Sequence, residues 1–110
     1  MLIPGIPFTA TDWVAIPPTE HRGATGTSHW RTVEAGGLRV RRVSYSPGYR
    51  ADHWCARGHV LLVLEGEITV ALRDGTAVRL GPGMGFQAGD DEANPHLAES
   101  KTGAEVFIVD

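Results

Sequence analysis

Between Glu67 and Arg73 the chain alternates, with Ile68, Val70 and Leu72 in one phase and Glu67, Thr69 and Arg73 in the other. A period of two marks a strand with one buried face. Asp74-Gly75 behind it is a two-residue hairpin signal, and Val78 and Leu80 continue the buried face on the return strand, Thr76 to Leu80. Similar short segments recur between turn residues. His29 to Glu34 ends at Gly36-Gly37, Leu38 to Ser46 ends at Pro47-Gly48, and Tyr49 to Cys55 is parted from His59 to Leu64 by Ala56-Arg57-Gly58. Further on, Gly81-Pro82-Gly83 precedes strand candidates near Gly85 to Ala88, Asn94 to Glu99 and Ala104 to Val109. Within Leu38 to Ser46 the apolar phase slips, Leu38 and Val40 against Val43 and Tyr45, which predicts a bulge near Arg41 and Arg42. No segment carries a sustained helical period, and nothing repeats at solenoid or propeller spacing. The pattern is all-β: short antiparallel strands in a sandwich or barrel.

Composition agrees. Fourteen Gly and seven Pro among 110 residues punctuate a chain that is still 42% hydrophobic, which suits one packed domain with many turns. The Pro and Gly crowd the start, at Pro4, Pro7, Pro17, Pro18, Gly23 and Gly26, leaving only Thr9 to Ile16 for a short helical turn capped by Thr11 or Asp12. Residues 1–28 are therefore expected to form an N-terminal arm packed on the barrel or on a partner subunit, and residues 29–110 the barrel itself. A net charge of −3, with the Arg scattered apart from Arg39, Arg41 and Arg42, leaves no nucleic-acid footprint. Val60 to Leu64 is the longest aliphatic run, far too short for a membrane span. One cysteine and no basic, apolar leader give the expectation of a cytoplasmic protein. Neither a Gly-x-Ser-x-Gly elbow nor a phosphate or dinucleotide loop occurs.

The chemistry that stands out is His53, Cys55 and His59 within seven residues, with His96 some forty residues later. On a strand, residues two apart share a face, so His53 and Cys55 can converge on one ion while Asp52 and Trp54 point away. Gly58 lets the chain bend before His59, and His96 closes the site from another strand. Each residue also has a plainer role open to it, since a free Cys is often simply buried and His96 after Asn94-Pro95 suits a loop. Asp90-Asp91-Glu92 lacks the ligand spacing of a calcium loop, and His21 and His29 are expected at the surface or in turns.

The stretch from Gly48 to Leu97 resembles the cupins (RmlC-like proteins). Their first motif, a Gly followed by His-x-His, a Glu and a further Gly, is matched by Gly48, His53, Cys55, His59 and Gly66. Their second, Pro-Gly followed by a His, is matched by Pro82-Gly83 and His96. Cys55 stands where the second His is usual and His59 where the Glu is usual. With Asp52-His53-Trp54-Cys55, the chain is similar to small single-domain bacterial cupins named for a DHCW motif, here with Trp before Cys.

The resemblance implies an antiparallel jelly-roll barrel of six to eight strands, a homodimer, and a mononuclear site of His53, Cys55, His59 and His96. Three imidazoles and a thiolate favour one divalent transition metal ion, zinc first, with iron, copper or nickel as the other candidates. If all four bind zinc the shell is closed, as in structural sites; if Cys55 stays free, positions remain open. The leading expectation is a metal-dependent enzyme, dioxygenase- or isomerase-like, acting on a small organic molecule. The alternative is a non-catalytic module that binds a small ligand or senses a metal. No general acid or base is assignable beyond the ligands, so the sequence leaves enzyme or non-enzyme open.

Overall fold

The computed structural model describes residues 3–110, so residues 1 and 2 of the arm lie outside the described residues. A 3-10 turn at Trp13–Ala15 is followed by ten strands: β1 Thr19–Arg22, β2 Thr27–Ala35, β3 Leu38–Tyr45, β4 Tyr49–Arg50, β5 His59–Gly66, β6 Ile68–Leu72, β7 Ala77–Leu80, β8 Gly85–Ala88, β9 His96–Ser100 and β10 Ala104–Val109. They form two antiparallel sheets, one ordered β1-β2-β3-β10-β5-β8 and the other β4-β9-β6-β7. The core lies between them. Val43, Leu61, Val63, Ile68, Val70, Leu80, Val106 and Ile108 are buried there, from strands of both sheets, each in its strand's inward phase.

The aliphatic run in β5 splits by parity. Leu61 and Val63 enter the core, whereas Val60, Leu62 and Leu64 lie on the outer face, 37–57% exposed. Ile68, Val70 and Leu80 are buried as the alternation predicts, but Val78 is not. It pairs with Val70, yet β7 is the edge of its sheet and leaves Val78 exposed.

The bulge expected near Arg41 is absent: β3 pairs without a register break with β2 and with β10. Its inward phase is Arg39, Arg41, Val43 and Tyr45, and Leu38 and Val40 occupy the other phase. The apparent slip came from two charged residues in the core-facing phase. The register irregularity occurs instead between β5 and β10, at Glu105/Val106.

Asp12 caps the 3-10 turn, its carboxylate accepting from Val14 N–H at 3.2 Å. Trp13 then packs edge-on against Phe107 of β10, and the backbone carbonyl of Ile16 accepts from Arg31 Nε. The arm segment also contributes β1, which extends the larger sheet alongside β2. One glycine is required by its conformation: Gly66 has φ +74°, and a Cβ there would run into the carbonyl of Gly103.

Candidate metal centre

β4 pairs with β9 at Tyr49↔Ser100 and Arg50↔Glu99, and pairing resumes as a single bridge, Cys55↔His96. Four residues on one side, Ala51 to Trp54, thus lie opposite two on the other, Leu97 and Ala98, so the chain is extruded around Asp52 to Trp54. The extrusion separates His53 from Cys55, which do not share a continuous strand face. His53 is 75% exposed, with Nδ1 2.6 Å from the Asp52 carboxylate, at the rim of the cavity described below. Cys55 remains fixed by two backbone bonds to His96, at 2.7 and 2.9 Å. Trp54, of opposite parity, is partly exposed under the Arg73 guanidinium.

His59 opens β5. Gly58 before it is needed for space: a Cβ would lie 2.5 Å from the carbonyl oxygen of Ala88, with Gly89 and Asp90 backbone atoms close behind. His96 opens β9, held by Asn94, whose side chain exchanges two hydrogen bonds with Asp74 at the β6–β7 turn.

Among the described residues, the ligand atoms of Cys55, His59 and His96 lie within 4.8 Å of one another, and both imidazoles are buried. Cys55 Sγ is 3.5 Å from His59 Nε2. Two donors on one tetrahedral zinc, at ordinary Zn–S and Zn–N lengths, stand roughly 3.6 Å apart. Burial pushes His59 down to about 4, with Asp110 opposing and His96 and the arginines assisting. Burial lowers His96 as well. Both rings are neutral near pH 7, the form that ligates metal. The donor set and its spacing therefore fit a transition metal ion.

Behind His59 sits Asp110, with a fully buried side chain. Its Oδ2 is 3.0 Å from His59 Nδ1, short of good hydrogen-bond alignment but on the side of the ring away from Cys55. A carboxylate in that position orients a ligating imidazole. Arg39 grips Asp110 with a fork at 3.0 and 2.8 Å; Arg41 reaches it at 3.3 Å and Arg57 lies 3.6 Å away. Burial alone would raise the Asp110 pKa, but the Arg39 fork, with Arg41 and His59, outweighs it and holds the carboxyl below its ordinary value. Sequence reasoning overlooked Asp110, Arg39 and Arg41. Their signal was a charged residue in the inward phase, Asp110 continuing Val106 and Ile108, and the two arginines continuing Val43 and Tyr45.

Cys55, His59 and His96 line a cavity of about 150 Å³ together with Trp30, Arg41 and Tyr45. Arg41 lies over the Trp30 ring, 4.4 Å from its centroid. Burial keeps the Tyr45 phenol protonated well above its ordinary range. His21 stacks on Trp30 at 3.8 Å while remaining exposed, and His29 faces Glu20.

No model of a known protein family matches this sequence, and no curated protein matches it. Solved structures do. A predicted oxalate decarboxylase from Thermotoga maritima superimposes with a TM-score of 0.76 at 18% identity, over 92% of this chain and 96% of that one. Ectoine synthase from P. lautus gives 0.71 at 16% identity, covering 93% and 76% of the two chains. Fe(II)-HppE with an alternative substrate gives 0.73 at 15% identity, covering 94% and 60%. At such identities the likeness is one of fold. Two antiparallel sheets packed face to face, with a histidine-lined cavity between them and these neighbours in space, identify the chain as a cupin-fold protein.

Proposed function

We propose that this protein is a metal-dependent enzyme acting on a small organic molecule, with one divalent transition metal ion held by Cys55, His59 and His96. The observation that carries this reading is the convergence of three metal-type donors on the wall of a cavity large enough for a ligand. When bound, such an ion supplies Lewis-acid or oxygen-activating chemistry. The chain's own residues do the rest: Asp110 orients His59, the two sheets exclude water, and Phe86 packs edge-on against His96.

His53 is the proposed fourth donor. Its exposed ring lies at the cavity rim, outside the cluster of three, and must swing inward to reach the ion, which makes it the residue that opens or closes the shell. With His53 away, a position stays open for substrate; with His53 bound, the centre is the closed site of a binding or sensing module. Zinc suits the thiolate and imidazoles best, with iron, copper or nickel as alternatives. Cobalt(II)-substituted protein tests the reading. Titration with azide shifts the visible spectrum of an open site; if the spectrum moves only after His53→Ala, the closed module is correct. If neither protein takes up cobalt, both readings fall.

We also propose a homodimer, supported by the apolar strip Val60, Leu62, Leu64 and Met84 on the outer face, the kind of patch that partner surfaces cover. The arm, residues 1–28, would pack on its own barrel, as Trp13 does against Phe107, or on the partner subunit. Sedimentation of the wild type against Leu62→Glu checks this, a monomeric wild type contradicting it. The lone thiol fits a reducing compartment, and cell fractionation tests the proposed cytoplasmic location. Among the described residues no helix is long and apolar enough to cross a membrane.

A further inference from the structure

The cavity that the metal-type donors line also carries an unexplained charge. Arg41 is only 4% exposed, and its Nε has no hydrogen-bond partner. Its Nη2 shares Asp110 Oδ2, at 3.3 Å, with Arg39 Nη2 at 2.8 Å, and the same oxygen faces His59 Nδ1 at 3.0 Å. One carboxylate thus serves Arg39, Arg41 and Arg57, leaving positive charge over. Among the described residues lining the cavity there is no Asp or Glu, while both Arg39 and Arg41 are present. A buried guanidinium with an unmade hydrogen bond and only a shared carboxylate against its charge is costly. Water would supply the bond but not the charge.

The missing partner has a definable chemistry. Trp30 covers one face of the Arg41 guanidinium, so a ligand meets its edge, where donors lie in a plane. Planar, in-plane acceptor pairs are what carboxylates offer. Size sets a second limit, since a cavity of about 150 Å³ matches a ligand of roughly six non-hydrogen atoms, the size of benzene in a protein cavity of similar volume.

We propose that Arg41, beside Trp30 and Tyr45, forms an anion subsite that binds the carboxylate of a small organic acid and directs its other end toward Cys55, His59 and His96. This specifies the substrate class of the enzyme proposed above and rests on that reading for its catalytic meaning. Binding of the acid itself does not require the metal. The site discriminates by charge: the acid enters and the matching amide does not.

The test follows the Trp30 indole and Arg41 side-chain NMR signals of wild-type protein, stripped by chelator and, separately, zinc-loaded. The probes are lactate and malonate, their neutral amides, and inorganic phosphate. The expected result is saturable shifts with both acids in the stripped protein and none with the amides. Arg41→Gln should weaken acid binding about 10- to 100-fold, the range of a hydrogen bond to a charged group, and Arg41→Lys by less. If Arg41→Gln does not fold, the acid-against-amide comparison in the wild type still decides. Amides binding as well as acids, or no shift with any probe, overturns the proposal, as does phosphate binding without carboxylate binding, which marks an adventitious ion only. Zinc uptake with no response to acids refutes the subsite and leaves the metal reading standing. Acid binding without zinc uptake supports the subsite and refutes the metal reading.

Discussion

Asp110→Asn removes one negative charge from a fully buried position without creating a cavity. The lost oxygen is replaced by an amide donor that faces other donors: the Arg39 fork at 2.8 and 3.0 Å, Arg41 at 3.3 Å and His59 Nδ1 at 3.0 Å. Removing one partner of a buried charge pair costs about 3–5 kcal/mol. Arg39 is partly exposed and recovers some hydration, so the lower end, about 3 kcal/mol, applies. For a domain of this size that corresponds to a fall in Tm of roughly 12–24 °C. The same change frees the His59 ring and should weaken metal binding by roughly 10- to 100-fold. Urea denaturation of metal-free protein measures the first effect, and zinc competition with a chromophoric chelator the second. A variant within about 0.5 kcal/mol of wild type, the range of an ordinary surface substitution, and with unchanged zinc affinity would refute the assignment of Asp110 as the support of His59.

Other substitutions probe separate steps of the account. Gly58→Ala drives a Cβ to 2.5 Å from the Ala88 carbonyl oxygen, a rigid backbone contact, so a loss of about 1–3 kcal/mol with weakened metal affinity is expected, and an unperturbed variant contradicts the close approach. Ile68→Ala, at a position 1% exposed, should cost about 2–5 kcal/mol and clearly more than Leu62→Ala on the outer face; equal losses would invert the inside and outside of the sheets. Burial holds the His59 pKa near 4 against an ordinary 6.5, so the unfolded chain binds the proton more tightly. The stability of metal-free protein is therefore fully present above pH 6.5 and declines as pH falls toward about 4; denaturation midpoints that stay level across that interval would contradict a buried neutral His59.

The strand pattern was legible because most strands keep one apolar phase, as Ile68, Val70 and Leu80 do. It broke down where the inward phase is not apolar. Arg39 and Arg41 face the cavity, and their charge imitated a slip in β3 that the unbroken pairing does not contain. Cys55, His59 and His96 were recognisable as metal-type donors from residue type and spacing, and they meet in the structure. The relation of His53 to Cys55 was not legible, because alternation along a strand assumes continuous pairing and the chain is extruded between Arg50 and Cys55. β1 was hidden by the Pro and Gly around it, its four residues being all exposed and without an apolar phase to read. Asp110 was visible only in hindsight of topology: β10 lies between β3 and β5, which delivers the carboxylate to arginines of one neighbour and a histidine of the other.

The central claim is that Cys55, His59 and His96 hold one metal ion. Zinc titration of chelator-stripped wild type, Cys55→Ser and His96→Ala, each checked for native circular dichroism, addresses it most directly. The account predicts one equivalent bound per wild-type chain and loss of stoichiometric binding in both folded variants. Wild-type protein that binds no zinc, iron, copper or nickel, or variants that bind as wild type does, would contradict it.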